Sequence, residues 1–265
     1  MTAPNFGSII LGGNVFGWTV SHDDAFTLLD AYLDRGGRAI DTADSYGPEV
    51  SEKIIAEALH PYPAGLVIAT KGGLTRSGPG QWHRNGRPEH LRKACEGSLR
   101  RLRTDRIDIY QLHAVDSAVP MEDSLGELIR MRSEGKIRHI GLSNVSVEQL
   151  QRATKLVPIV SVQNRYNLAD RASEDVLQIC ERDGLGFLPW YPVGAGDLTK
   201  PGGTVDRIAR AHAVTTAQVA LAWLLLHSPV MLPIPGTSSV AHLDENVAAA
   251  ALALDDAEML QLDRG

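Results

Sequence analysis

Eight short apolar runs, separated by stretches whose apolar residues recur at helical spacing, predict an α/β fold in which parallel strands close into a (β/α)8 TIM barrel. Two further observations agree. The chain of 265 residues has the length of one such barrel. Asp41, Lys71 and His113, side chains able to do chemistry, each stand where an apolar run ends, and strand C-termini are where these barrels carry their sites. Residues 1–265 read as one domain.

The strands read, in order, as residues 8–11, 39–41, 66–70, 107–111, 139–143, 159–163, 186–189 and 230–233. Amphipathic helices fall between them at 24–34, 51–59, 88–102, 123–134, 147–155, 174–182 and 216–226, and a last one is expected in LDDAEMLQLDRG. Strands this short and apolar argue for parallel pairing under a layer of helices. An open doubly wound sheet is disfavoured, because the first strand runs into GGNVFGWT, with no GxGxxG opening a helix. Two segments read as long loops suited to covering a ligand: Gly-rich 72–87, which carries Trp82, and 193–203, nearly all small or polar.

Charge and composition exclude several classes. With 26 basic against 32 acidic residues and no extended basic run, nucleic acid is not an expected partner. Two cysteines, Cys95 and Cys180, are too few for a disulfide framework or a cysteine metal site and read as reduced helix residues. The polar start MTAPNFGS precedes too short an apolar run for a signal peptide or membrane span, so the expected location is the cytoplasm. The expected state is a monomer or weak homo-oligomer.

The chemistry follows from four side chains: Asp41 and Tyr46 in RAIDTADSYG, Lys71 in LVIATKGG and His113 in IDIYQLH. Reducing a carbonyl needs a hydride on carbon and a proton on the developing alkoxide. A phenol, with a free pKa of about 10, supplies that proton once a neighbouring ammonium stabilises its phenolate. Lys71 is placed to be that ammonium, Asp41 to hold it charged, and His113 to donate a hydrogen bond to the carbonyl oxygen. Singly, each residue has an ordinary structural use: a turn, a loop aromatic, a solvated charge, a rim histidine. Jointly they mark the ends of three strands that are neighbours in a barrel.

The chain resembles the aldo-keto reductase family in DTADSYG, ATKGG, DIYQLH, GKIRHIGLSN, SVQNRYN and IPGTSSVAHLDEN, which follow that family's order end to end. The likeness is to bacterial members that reduce aldehydes or pyridoxal. It implies that Asp41, Tyr46, Lys71 and His113 are the catalytic tetrad. It implies too that Ser143, Asn144 and Gln163 bond the nicotinamide carboxamide, that Trp190 stacks on its ring, and that Val193, Gly194, Gly196 and Leu198 approach the pyrophosphate. Read without the family, Ser143 and Asn144 serve equally to cap the helix near Val147, and Trp190 as ordinary packing.

The chain departs from the family's pattern in three places. Gly236 and His242 stand where many members carry a Lys and an Arg for the 2'-phosphate of NADP. Thr237, Ser238, Ser239 and the helix N-terminus after them are left as an anion site, with Glu245 and Asn246 matching adenine contacts. NADPH is the preferred cofactor, and NADH stays open. Few residues precede the first strand and none follow the last helix, so neither the usual hairpin beneath the barrel nor the long C-terminal loop of animal members is expected. Pocket walls are then expected from Val15, Phe16, Trp18, Tyr46, Trp82 and Tyr191.

Two other classes compete. A nicotinamide-binding redox sensor with little turnover is opposed by the complete tetrad. A metal-dependent barrel hydrolase needs several converging His and carboxylate ligands, and Lys71 beside His113 repels a cation, so no metal is expected.

Overall fold

Strands and helices alternate along the computed structural model, which describes residues 4–78, 80–194 and 201–264. In order they are β1 (Leu11–Gly12), α1 (His22–Asp34), β2 (Ala39–Asp41), α2 (Val50–Leu59), β3 (Val67–Gly72), β4 (Leu74–Gly78), β5 (Gln81–Arg84), α3 (Pro88–Arg101), β6 (Ile107–Leu112), α4 (Met121–Ser133), β7 (Ile137–Ser143), α5 (Val147–Leu156), β8 (Ile159–Gln163), α6 (Glu174–Asp183), β9 (Gly186–Phe187), α7 (Thr204–His212), α8 (Thr216–His227), α9 (Val240–Ala248) and α10 (Asp256–Arg264). Local chemistry sets several starts. Ser146 and Gln149 form a capping box on α5, as do Thr215 and Gln218 on α8, and Ser21 accepts from Asp24 N at α1.

Seven strands pair in parallel in the order β1-β2-β3-β6-β7-β8-β9. The expected eighth strand, 230–233, forms no regular ladder but still closes the ring. Phe187 N donates to Val230 O (2.8 Å) and Leu232 N to Phe187 O (2.8 Å), while on the other side Ile10 N donates to Pro233 O (2.9 Å) and Gly12 N to Pro235 O (3.2 Å). Pro233 and Pro235 have no N–H to give back, which is why bonds run only one way on the β1 side. The fold is a (β/α)8 barrel.

Two other expectations are corrected. The first strand covers Leu11–Gly12 rather than 8–11, and the segment 72–87 holds an antiparallel hairpin, β4 against β5, rather than a loop alone. The loop signal came from its glycines, which turn the hairpin: Gly73 and Gly80 both have positive φ. Helix α7 had no place in the sequence reading.

Side chains alternate across each strand, so inward residues can be followed from floor to rim. Ala39, Val67, Ala69 and Ile109 join Ile10, Leu188 and Ile234 in an apolar plug inside the barrel. Two residues further along the same strands the inward positions become Asp41, Lys71 and Gln111. Phe6, buried, packs with the plug and meets Gly186 at the start of β9, so it closes the floor of the barrel. Cys95 and Cys180 are buried free thiols on α3 and α6, each pushed up to about 12 by burial. Among the described residues, no single helix is long and apolar enough to cross a membrane.

Candidate active site

The inward polar residues meet at Lys71, whose side chain is completely buried. Its ammonium has three hydrogens and three acceptors: Asp41 Oδ2 at 2.6 Å, Thr42 O at 2.9 Å and the Tyr46 hydroxyl at 3.1 Å. Nothing is left over for a substrate. Burial works against the charge, but the charges and hydrogen bonds of Asp41 and Tyr46 outweigh it and hold the lysine above its ordinary pKa. Asp41 is itself fastened by Gln111 Nε2 (3.0 Å) and Gln163 Nε2 (2.8 Å), both on Oδ1. Gln111 escaped the sequence reading because a polar residue inside a strand gives no signal until the register shows which way it faces. Gly141 makes room for it, since a Cβ there would fall 2.7 Å from Ser161 Oγ and 2.9 Å from Gln111 Cγ.

Tyr46 projects from the turn after β2. That turn is tied down by Ser51, whose N–H donates to Tyr46 O (3.2 Å) and whose hydroxyl reaches Gly13 O and Thr42 Oγ1 (2.8 Å each). Because the phenol oxygen accepts from Lys71, its own hydrogen is free to point into the mouth. Burial pushes Tyr46 above the usual phenol range, and the Lys71 ammonium pulls the other way. His113 stands edge-on to Tyr46, ring centroids 5.9 Å apart. Burial first, and Lys71 second, hold His113 well below the ordinary histidine range. The imidazole is therefore neutral, with one N–H to donate, and its Nδ1 has no hydrogen-bond partner among the described residues. A neutral imidazole set edge-on to the phenol is able to donate a hydrogen bond to a carbonyl oxygen seated between the two rings.

The expected cofactor residues divide. Ser143 and Gln163 are buried at the ends of β7 and β8, side by side in register. Gln163 gives one amide hydrogen to Asp41, so its second amide hydrogen and its oxygen remain to meet a carboxamide. Asn144 is committed more heavily within the protein. Its Nδ2 donates to His113 O and Ser143 Oγ (3.0 Å each), and its Oδ1 accepts from Trp190 Nε1 at 3.0 Å. Asn144 thus orients Trp190, and its Oδ1 keeps one acceptor position open. Neither Ser143 nor Asn144 caps α5, a role that belongs to Ser146.

Trp190 is half-buried, pinned at its ring nitrogen. Val193 and Gly194 follow it, Gly194 with φ of 57°, whereas Gly196 and Leu198 lie outside the described residues. Across the rim, Gly236 and Ser238 are exposed and Thr237 is buried. Ser239 caps α9 by accepting from His242 N at 3.2 Å. A Cβ on Gly236 would come within 2.6 Å of Asn14 Oδ1, the end of an exposed side chain that would have to move aside. On α9, His242 is exposed, Glu245 half-buried and Asn246 buried. An indole held at its edge, a glycine backbone and a capped helix N-terminus with small donors suit a nicotinamide dinucleotide.

Of the expected walls, Val15 is partly buried against Gly236, and Trp18, Trp82 and Tyr191 are each over 40% exposed around the mouth. Phe16 is corrected: it is fully buried in the core and lines nothing. Its neighbour Gly17 reverses the chain with φ of 78°, which sends Phe16 inward and Trp18 outward.

A (β/α)8 barrel with a Tyr–Lys–Asp–His cluster at its rim defines an oxidoreductase of carbonyls and alcohols. The chain belongs to the aldo/keto reductase family, whose model matches residues 8–264. It is 52% identical over 224 residues to an uncharacterized oxidoreductase of Schizosaccharomyces pombe, covering 84% of this chain and 73% of the relative. It is 41% identical over 265 residues to pyridoxine 4-dehydrogenase of Escherichia coli, covering 97% of this chain and 92% of that one. Among solved structures it is similar to an aldo/keto reductase from Klebsiella pneumoniae in complex with NADP and acetate, with TM-score 0.86, 28% identity and coverage of 99% and 94%. A glycerol dehydrogenase from Gluconobacter oxydans superposes with TM-score 0.88 at 27% identity, covering 98% and 91%.

Proposed function

We propose that this chain reduces aldehydes and ketones to alcohols with NADPH, Tyr46 acting as general acid, on pyridoxal or a broad range of small aldehydes. The observation that carries the reading is the division of labour around Lys71. All three ammonium hydrogens are committed within the protein, one of them to the phenol, so Lys71 makes Tyr46 a better acid without touching substrate. Ser143, the oxygen of Gln163 and the face of Trp190 would hold the nicotinamide, and α9 with Thr237, Ser238 and Ser239 would hold the adenosine phosphates. When bound, the cofactor supplies the hydride.

A substrate carbonyl seated between His113 and Tyr46 receives a hydrogen bond from the neutral imidazole, which fixes its oxygen before charge develops. As alkoxide character grows, the phenol passes its proton to that oxygen. The phenolate left behind rests against the Lys71 ammonium, and Asp41 balances the lysine. The similarity to pyridoxine 4-dehydrogenase supports pyridoxal as a member of the substrate class. The exposure of Trp18, Trp82 and Tyr191 around the mouth supports a broad one.

The test is a panel of aldehydes including pyridoxal, with NADPH oxidation followed by absorbance. Tyr46→Phe is expected to lower kcat by about two to four orders of magnitude, while NADPH still quenches tryptophan fluorescence with a similar dissociation constant. Full turnover in that variant would sink the assignment of the acid.

A further inference from the structure

Arg76 lies on β4 directly across from Trp82 on β5. Its guanidinium carbon stands 3.4 Å from the centroid of the Trp18 ring and 4.7 Å from that of Trp82. Two exposed indoles, Trp18 in the segment after β1 and Trp82 on β5, are thereby joined through one cation. Nε donates to Gly78 O at 2.9 Å, which fixes the rotation of the group. Nη1 and Nη2 have no protein acceptor among the described residues, and no described carboxylate comes within ion-pair distance. Arg165 makes the useful contrast. It too sits over two aromatics, Trp190 at 5.7 Å and Tyr191 at 5.3 Å, but its charge is taken by Asp170 at 2.8 Å.

Stacking uses the face of a guanidinium and leaves its edge to donate in plane. A planar anion approaching that edge meets two parallel N–H groups already oriented, so little side-chain entropy is lost on binding. The position relates the edge to the chemistry: the Trp82 ring is 6.4 Å from the His113 ring, and His113 is 5.9 Å from Tyr46. The Trp82 indole thus touches both the cation and the histidine that flanks the proton donor. A substrate whose carbonyl lies at Tyr46 and whose body lies along Trp82 would bring a remote charged group to Arg76.

We propose that Arg76, clamped by Trp18 and Trp82, is a specificity-determining residue that binds the carboxylate of an aldehyde substrate at the mouth of the site. The proposal rests on the reductase reading above, and its test separates the two.

Rates are compared for 4-carboxybenzaldehyde and 4-methylbenzaldehyde, which share shape and differ in charge, in the wild type, Arg76→Met and Arg76→Lys. The quantity read is the ratio of the two kcat/KM values, which cancels any general effect of a substitution on the hairpin. In the wild type the carboxylated aldehyde is expected to be preferred by about tenfold or more, through KM. The ratio should fall towards one in Arg76→Met, and Arg76→Lys should fall between, keeping the charge but losing the planar fork. Raised salt should shrink the wild-type preference, since the pair is partly exposed. An equal ratio in the wild type and Arg76→Met overturns the subsite. Binding of 4-carboxybenzaldehyde without cofactor is followed in parallel by quenching of tryptophan fluorescence. If neither aldehyde is turned over, the reductase reading fails, and the binding arm still decides Arg76: weaker quenching in Arg76→Met supports the subsite, and equal quenching overturns it.

Discussion

Lys71 is the residue on which the site turns, because it is a fully buried ammonium whose every hydrogen is assigned. Its effect on Tyr46 has a definite sign. Burial raises the phenol's pKa and the ammonium lowers it, so removing the ammonium leaves burial unopposed and moves the pKa up. Lys71→Met should therefore cut kcat steeply, since a weaker acid must donate the same proton. It should also shift the alkaline limb of the residual pH profile to higher pH, where Tyr46 is still protonated. A variant that loses only substrate affinity, with kcat and the limb unmoved, would reduce Lys71 to a binding residue. His113 is legible in the same terms. Held neutral by burial and by Lys71, it gains no charge near neutral pH, so the acidic side of the profile should not report it.

Among the elements, α9 carries the question of cofactor preference. Its N-terminus is capped by Ser239 and flanked by Thr237 and Ser238, and His242 stands exposed in its first turn. The free first-turn N–H groups and the helix dipole favour an anion without any permanent positive side chain. Replacing His242 by Arg adds a fixed charge and a planar fork. His242→Arg is expected to tighten NADPH binding by about tenfold, ~1.4 kcal/mol, and to leave NADH nearly unchanged. Titrations of both cofactors by fluorescence quenching check this. Equal gains for both would show that residue 242 meets something other than the 2'-phosphate. The hairpin of β4 and β5 shows the complementary case, an element read from its glycines as loop and found to be a rigid support for Arg76 and Trp82.

At the scale of the whole molecule, the barrel must be closed at both ends. Its rim is closed by polar side chains that grip one another and its floor by Phe6. Phe6→Ala opens a cavity against Ile10, Val67, Ile109 and Ile234, and a Phe→Ala change of this kind costs about 3 kcal/mol. For a chain of this size that corresponds to a fall in Tm of about 6 to 12 °C. Calorimetry should register it while kcat and KM at 25 °C stay as in the wild type. A Tm shift below about 1 °C would show that the floor does not depend on Phe6. The ring is also closed by the 230–235 segment, whose prolines keep it from pairing regularly although it bonds to β1 and β9.

The sequence by itself determined the alternation of strand and helix, and with it the barrel, because hydrophobic periodicity is a local property that survives without knowledge of contacts. It determined the four residues at the strand ends for the same reason: Asp41, Lys71 and His113 each terminate an apolar run, and Tyr46 lies in the turn beyond one. Tertiary structure alone decided which polar atoms were already spent. Asn144, expected to meet a ligand, also bonds His113, Ser143 and Trp190, and Gln111, unremarked in its strand, holds Asp41. Phe16, expected as a wall, is buried instead, because the glycine between it and Trp18 sends the two side chains opposite ways. Arg76 acquires a role only when folding brings Trp18 and Trp82, 64 positions apart in the chain, to the same cation. Hydrogen-bond satisfaction and side-chain stacking are relations between distant residues, and distance in space is what a linear sequence does not carry.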